Sequence, residues 1–143
     1  MNIEQKARQT LAKIKLSKKD KILVALSGGK DSSVVAYLLK KFGYNIKGFH
    51  IDLGMGGYSE RCLDSVKQLC KQLDIKLHLY DIKDEMGSSM CYIRAGIQHE
   101  KKGLKNCAIC GVIKKWIMNR EARNIQGISK IATGHNLDDE AQT

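Results

Sequence analysis

Apolar positions recur along this chain with two different periods, and the switches between them mark out its elements. Ile3, Ala7, Leu11 and Ile14 fall at spacings of four, four and three, which is one stripe of a helix over 3–16. Lys21 to Leu26 (KILVAL) is instead an unbroken aliphatic run followed by Ser-Gly-Gly, the pattern of a parallel strand buried on both faces. Residues 31–42 return to helical spacing, with Val34, Val35, Leu38 and Leu39 inward, Asp31 or Ser32 near the start and Gly43 at the end. A second strand follows at 45–52 (NIKGFHID), then a Gly-rich loop from Leu53 to Ser59. Ser59 is placed to cap a helix with Cys62, Val66, Leu69, Cys70 and Leu73 on one face.

Residues 75–80 (IKLHLY) alternate as a third strand, which points His78 outward, between Leu77 and Leu79. Residues 84–105 read as helix then loop, and 111–125 as a basic helix with Val112, Ile113, Trp116 and Ile117 apolar. A fourth strand is expected at 129–133. A loop then runs from Gly134 to Asp138, with Asp138 or Asp139 opening a last helix. Strands alternating with helices predict an α/β fold, a doubly wound parallel sheet with helices on both faces. Ligands of such sheets sit beyond the carboxyl ends of the strands, so the loops to inspect are 27–32, 51–58, 81–90 and 134–139. Residues 1–20 are expected to be a basic helix packing on the core, and 21–143 the core itself.

Charge sharpens this outline. The 143 residues carry a net charge of +10. Residues 1–21 hold seven Lys and Arg against Glu4 and Asp20, and residues 101–123 hold seven against Glu121. Two basic blocks on an otherwise balanced chain point to a nucleic-acid surface. There is no apolar run long enough for a membrane span and no secretory h-region, so no membrane partner is expected. Five Cys, an odd number, and no signal peptide favour reduced thiols or a metal site in the cytoplasm over a disulfide scaffold.

Three segments carry chemistry. Ser27-Gly28-Gly29-Lys30-Asp31-Ser32-Ser33 lies between the first strand and first helix. Its glycines admit a ligand to the backbone, the helix start offers unpaired N–H groups, and Lys30 adds a full charge, so the turn suits a di- or triphosphate. It matches neither the P-loop pattern nor the dinucleotide fingerprint. Cys107-Ala-Ile-Cys110 has the spacing for joint ligation of zinc or an iron–sulfur cluster, or for a redox dithiol. Cys62 and Cys70, on an apolar helix face, read as structural. The third segment is Gly134-His135-Asn136-Leu137-Asp138-Asp139 at the fourth strand.

SGGKDS closely resembles the pyrophosphate loop of the N-type ATP pyrophosphatases (PP-loop ATPases, adenine nucleotide alpha hydrolase-like). With it, Cys107-Ala-Ile-Cys110-Gly-Val-Ile-Lys114-Lys115 and Gly-His-Asn-Leu-Asp-Asp match, in order, the motifs of the TtuA/TtcA tRNA thiolase family. The C-x-x-C-G-V-I-K wording leans towards the TtuA side, which thiolates uridine, over the TtcA side, which thiolates cytidine.

The resemblance implies an enzyme that adenylates the C2 carbonyl of a tRNA pyrimidine and replaces its oxygen with sulfur. ATP would lie on Ser27, Gly28, Gly29, Lys30, Asp31, Ser32 and Ser33, with adenine against the backbone near Ala25, His50 and Ile51. Gly134 would allow close approach at strand four. Asp138, with Asp139, would hold Mg2+ or orient the attack, and Lys114 would steady charge on the α-phosphate. Cys107 and Cys110 would hold a 4Fe-4S cluster with a third, much later family Cys. The chain reaches Thr143 before any such Cys and lacks the zinc-ribbon pairs of TtuA-type members, so the resemblance implies a truncated chain or a cluster completed otherwise. Cys91 is the local candidate. His135 stands between a proton carrier and a structural role.

The partners implied are tRNA and a sulfur donor, either sulfide or a sulfur-carrier protein, and a homodimer is compatible. Tyr92 and Trp116 are candidates to stack an unpaired base, although Trp116 on an apolar stripe reads as core. Two other readings compete. An ATP pyrophosphatase for a small substrate has no need of the C-x-x-C or the basic blocks. A non-enzymatic metal- and nucleic-acid-binding module leaves the phosphate loop idle.

Overall fold

A computed structural model describes residues 2–100, 106–125 and 127–134, with side chains described except at 91, 94, 98–100 and 106–110. The aliphatic run folds as strand β1, Lys21–Ala25, with Ile22, Leu23 and Val24 buried. It pairs in parallel with β2, Asn45–Asp52, on one side and with β4, Lys130–Ala132, on the other. Strand β3, Leu77–Asp81, lies outside β2, so the order is β3-β2-β1-β4. The chain builds outward from β1 through β2 and β3, then crosses to β4 on the far side.

The pleat sends alternate residues of β1 into two apolar layers. Ile22, Val24 and Leu26 meet helix α2, Lys30–Lys41, and helix α3, Gly57–Leu73, through Ala36, Leu39, Val66 and Cys70. Leu23, Phe49 and Tyr80 meet α4, Ile82–Met86, α5, Met90–Glu100, and α6, Asn106–Asn124, through Ile82, Met90, Ile117 and Ala122. Fully buried residues such as Leu23 and Ile117 each contribute about 1.5–3 kcal/mol by leaving water. Burial on both faces explains why β1 shows no alternation.

Helix α1, Ile3–Lys13, rests on the end of α2. Leu11 packs against the core, Glu4 pairs with Lys41 at 2.5 Å, and the Arg8 guanidinium lies 4.2 Å from the Phe42 ring centre. Lys18 hydrogen-bonds the Phe42 carbonyl and sits over Tyr44. Among the described residues, no helix is long and apolar enough to cross a membrane.

Several expectations from the pattern are corrected. Val34 is exposed, because Ala36 and Ser32 take the inward positions of α2. Ser59 is buried two residues inside α3 and accepts from the Met55 amide, while Gly56 occupies the cap. His78 faces α6, where it bonds Glu121 at 3.3 Å and stacks on Phe49. Helix α6 starts at Asn106, earlier than expected, and Val112 and Trp116 point away from the core. The last helix expected from Asp138 or Asp139 lies outside the described residues.

Folding also assembles a lysine row that the linear charge map conceals. Gly48 pairs with Leu77, and its amide donates to the Lys76 carbonyl at 2.8 Å, which sets Lys47 beside Lys76. Lys47 is held below the ordinary lysine range, first by repulsion from Lys21, then by desolvation and by Lys76. Like charges on neighbouring strands destabilise a sheet. A lowered folded-state value means that this penalty is full at neutral pH and fades as pH rises towards the ordinary lysine range. Lys47→Gln is therefore expected to raise the melting temperature at low salt, with the gain shrinking at high salt as screening replaces it. Thermal melts at two ionic strengths check this, and no gain at low salt would refute the repulsion.

Candidate functional site at the carboxyl edge of the sheet

Topology alone singles out one location. The chain leaves β1 towards β2 and later returns to pair β4 on the opposite side, so the loops after β1 and β4 diverge at the switch point where such sheets bind ligands. The loop after β1 is Leu26–Gly29 and runs into α2. Its own hydroxyls shape it. The Ser27 amide donates to Ser32 Oγ at 3.3 Å, the Gly29 amide to Ser27 Oγ at 3.3 Å, and Ser33 Oγ donates to the Gly29 carbonyl at 2.8 Å. Gly29 caps α2 without any side-chain hydrogen bond. The first-turn N–H groups and the positive end of the helix dipole are thus available to an anion.

Two glycines set the shape of this cradle. Gly28 adopts φ +88°, which L side chains rarely adopt, and a Cβ there would stand 3.1 Å from the Cys62 backbone. Gly134, just past β4, is closer still. A Cβ on it would lie 2.6 Å from the Ser32 nitrogen and 2.8 Å from Ser32 Cα. The close approach that Gly134 makes at strand four is to the first turn of α2.

His50 reaches the same corner from β2. Its ring is buried and Nδ1 lies 2.7 Å from the Leu26 carbonyl, the residue before the phosphate loop. A carbonyl only accepts, so Nδ1 carries the proton. Nε2 is then a buried acceptor with no partner among the described residues. The expectation used only the backbone of His50, yet its side chain ties β2 to the loop. Ala25 and Ile51 end the neighbouring strands beside it.

The third contributor is α6. Its C-terminal end returns to the amino edge, where the Ser129 amide donates to the Lys21 carbonyl at 2.9 Å. Its 19 residues span roughly 28 Å at 1.5 Å each, so its first turns run towards the carboxyl edge. Positions 107, 110, 114, 117 and 121 follow helical spacing along one stripe. Ile117 on that stripe is buried and Glu121 meets His78, whereas Lys114, nearer the start of α6, is exposed. The backbone of Cys107 and Cys110 is helical, one turn apart, a spacing that lets two thiolates share one metal group. Their side chains lie outside the described residues, as do that of Cys91 and all of His135, Asp138 and Asp139.

Sequence reading did not bring Asp52 and Asp81 together. They are direct neighbours at the ends of β2 and β3 and line a pocket of about 180 Å³ with Glu60 and Lys83. Both are committed locally: Asp52 accepts from the Gly54 amide, and Asp81 from the Lys83 and Asp84 amides. Their position at the end of each strand was the available signal. Burial pushes the Cys70 thiol up, in keeping with a structural role, and the half-buried Cys62 beside Tyr58 holds the Tyr58 hydroxyl above its ordinary range.

A family model described as tRNA methyl transferase HUP domain matches residues 20–142. The tRNA-5-methyluridine(54) 2-sulfurtransferase of Pyrococcus horikoshii is 48% identical over 139 residues, which cover 96% of this chain and 42% of that protein. The cytoplasmic tRNA 2-thiolation protein 1 of Malassezia globosa is 35% identical over 147 residues, covering 98% and 38%. Among solved structures, the U34-tRNA thiolase NcsA from Methanococcus maripaludis, with its 4Fe-4S cluster, superposes with a TM-score of 0.79 at 31% identity. That match covers 97% of this chain and 45% of the thiolase. The chain thus spans less than half the length of these relatives. The doubly wound PP-loop architecture expected from the motifs is the one observed.

Gly134→Ala drives a methyl group into backbone rather than into a flexible side chain. It is expected to lower the melting temperature and to weaken ATP binding by about tenfold or more, the equivalent of about 1.4 kcal/mol. Gly96→Ala, which meets nothing within 4 Å on a helix, is the control and leaves binding unchanged. Calorimetric titration with ATP measures both.

Proposed function

The chain belongs to the tRNA methyl transferase HUP domain family, and from that membership we propose that it carries the ATP chemistry of a cytoplasmic tRNA sulfurtransferase of the TtuA/TtcA kind, acting on a uridine. The observation that supports this reading most is the seating of Gly134 on the first turn of α2, beside the Ser27–Ser33 turn at the switch point. The relatives support the substrate, since their names specify tRNA 2-thiolation and two specify uridine. The C-x-x-C at the same edge is what a small-substrate ATP pyrophosphatase does not need. The formed phosphate cradle is what a simple metal- and RNA-binding module does not need.

ATP places its phosphates on Ser27 to Ser33, where the first-turn amides of α2 and Lys30 neutralise them. Asp138, with Asp139, holds Mg2+ on those phosphates. Lys114, exposed on the stripe of α6 that runs towards the carboxyl edge, reaches the α-phosphate and stabilises the charge that builds there. The C2 carbonyl oxygen of the uridine attacks the α-phosphorus, forming a new O–P bond while the bond to pyrophosphate breaks. Sulfur, supplied as sulfide or by a carrier protein, then attacks C2, and AMP leaves with the former carbonyl oxygen. By spacing and thiolate chemistry, Cys107 and Cys110 would supply two of the ligands of a 4Fe-4S cluster, with a further ligand from elsewhere, and such a cluster would supply an iron able to hold sulfur. His50 keeps the loop entrance in register through Leu26. Residues 1–20 act as a basic accessory to the core at 21–143.

Anaerobic purification followed by absorption spectroscopy and iron analysis tests the cluster. Wild type is expected to be brown and iron-loaded, and Cys107→Ala to lose iron while still binding ATP. A colourless, iron-free and zinc-loaded wild type would overturn this part. For the chemistry, Lys114→Ala is expected to slow tRNA-dependent release of pyrophosphate by about 10²-fold or more. An unchanged rate would return Lys114 to the status of a solvated lysine.

A further inference from the structure

Helix α6 carries apolar side chains on two sides, and only one of them is used. Ile113, Ile117 and Ala122 face the core. The outer stripe holds Val112, Trp116, Asn119 and Arg123 at spacings of four, three and four, all exposed. Trp116 is 52% exposed and Val112 68%. An exposed tryptophan costs contact with water unless something covers it. The Arg120 guanidinium lies 5.3 Å from the Trp116 ring centre, and Lys115 and Arg123, also exposed, flank the same side of the helix. Asn119 adds an uncharged amide, one turn on from Trp116, that can both donate and accept. Among the described residues of α6, the lone carboxylate, Glu121, is turned inward and bonded to His78.

A flat ring flanked by cations matches a ligand with π-faces and a negative backbone, which is unpaired nucleic acid. A second copy of this chain is the poorer occupant, because the same cations would meet each other across the contact. We propose that Trp116, with Arg120, is a stacking platform for an unpaired base of the RNA substrate, and that this base is not the one modified. The second half of the proposal follows from the wheel: the Trp116 stripe lies well round the helix from positions 107, 110 and 114. Trp116 therefore anchors and positions the RNA, while the chemistry proceeds on the neighbouring face. The proposal rests on the tRNA reading above and adds a residue and a role to it.

Trp116 is the single tryptophan of the chain, so its emission reports on this site alone. The protein is titrated with an unstructured oligouridylate RNA and, separately, with inorganic polyphosphate. Stacking predicts saturable quenching by the RNA and none by polyphosphate. In a binding assay with labelled RNA, Trp116→Ala is expected to weaken affinity by about 5- to 100-fold and Trp116→Phe to restore most of it, as the loss of one stacked base implies. A circular dichroism melt verifies that each variant is folded. Equal quenching by both polyanions, equal affinity of Trp116→Ala, or an emission change that follows protein concentration without RNA would overturn the platform. ATP binding by the same wild-type sample separates the two readings. Quenching without ATP binding supports the platform and counts against the catalytic reading, and ATP binding without quenching does the reverse.

Discussion

Strand β1 is hydrogen-bonded in parallel on both sides and buried on both faces, and everything else in the molecule is arranged around that constraint. A parallel partner cannot be reached by a hairpin, so each neighbour of β1 requires a crossover helix. Filling one side with β2 and the other with β4 forces the loops after β1 and β4 apart at the carboxyl edge. The Ser27–Ser33 turn lies in the opening this creates. Gly134 comes within contact of Ser32 because β4 pairs with β1 in that register, and a side chain there would hold the two apart.

The same constraint explains the two-faced helix. Helix α6 must run back to the start of β4, so its C-terminal end is pinned at the amino edge. Its first turns therefore lie towards the opposite, carboxyl edge. One stripe then changes role along its length: Ile117 is core, Glu121 serves His78, and Lys114 is free to face a ligand. The outer stripe is left to solvent, and its tryptophan and cations face outward together. A helix with apolar residues on both sides has no clear amphipathic signature, which is why Trp116 reads as core from spacing alone.

Much of this was legible beforehand because the cues are local. The aliphatic KILVAL run, the Ser-Gly-Gly turn and the alternation of periods are enough to place β1, α2, β2 and β4 within a few residues, since burial on both faces and helix initiation leave direct marks on neighbouring positions. Val34, Ser59 and His78 escaped the pattern because packing and hydrogen bonding, which spacing does not reveal, decide their environments. Ala36 competes with Val34 for the core, Met55 claims the Ser59 hydroxyl, and Glu121 lies 43 positions from His78. The lysine row of Lys21, Lys47 and Lys76 escaped for the same reason. Its members are scattered along the chain and meet only through strand register.

The amino-acid order by itself determined the class of fold, the Ser-Gly-Gly turn at the head of α2 and the C-x-x-C spacing, because each depends on residues within a turn or two of one another, whereas the helix through Cys107 and Cys110 appeared only in the structure. Tertiary structure alone decided which residues share the site. It set Gly134 against Ser32, joined His50 to Leu26, packed Ile117 of α6 into the core and turned Trp116 outward. Those relations depend on the register and direction of parallel strands, and on which stripe of a helix the core takes. Neither is settled until the chain has closed the sheet around β1.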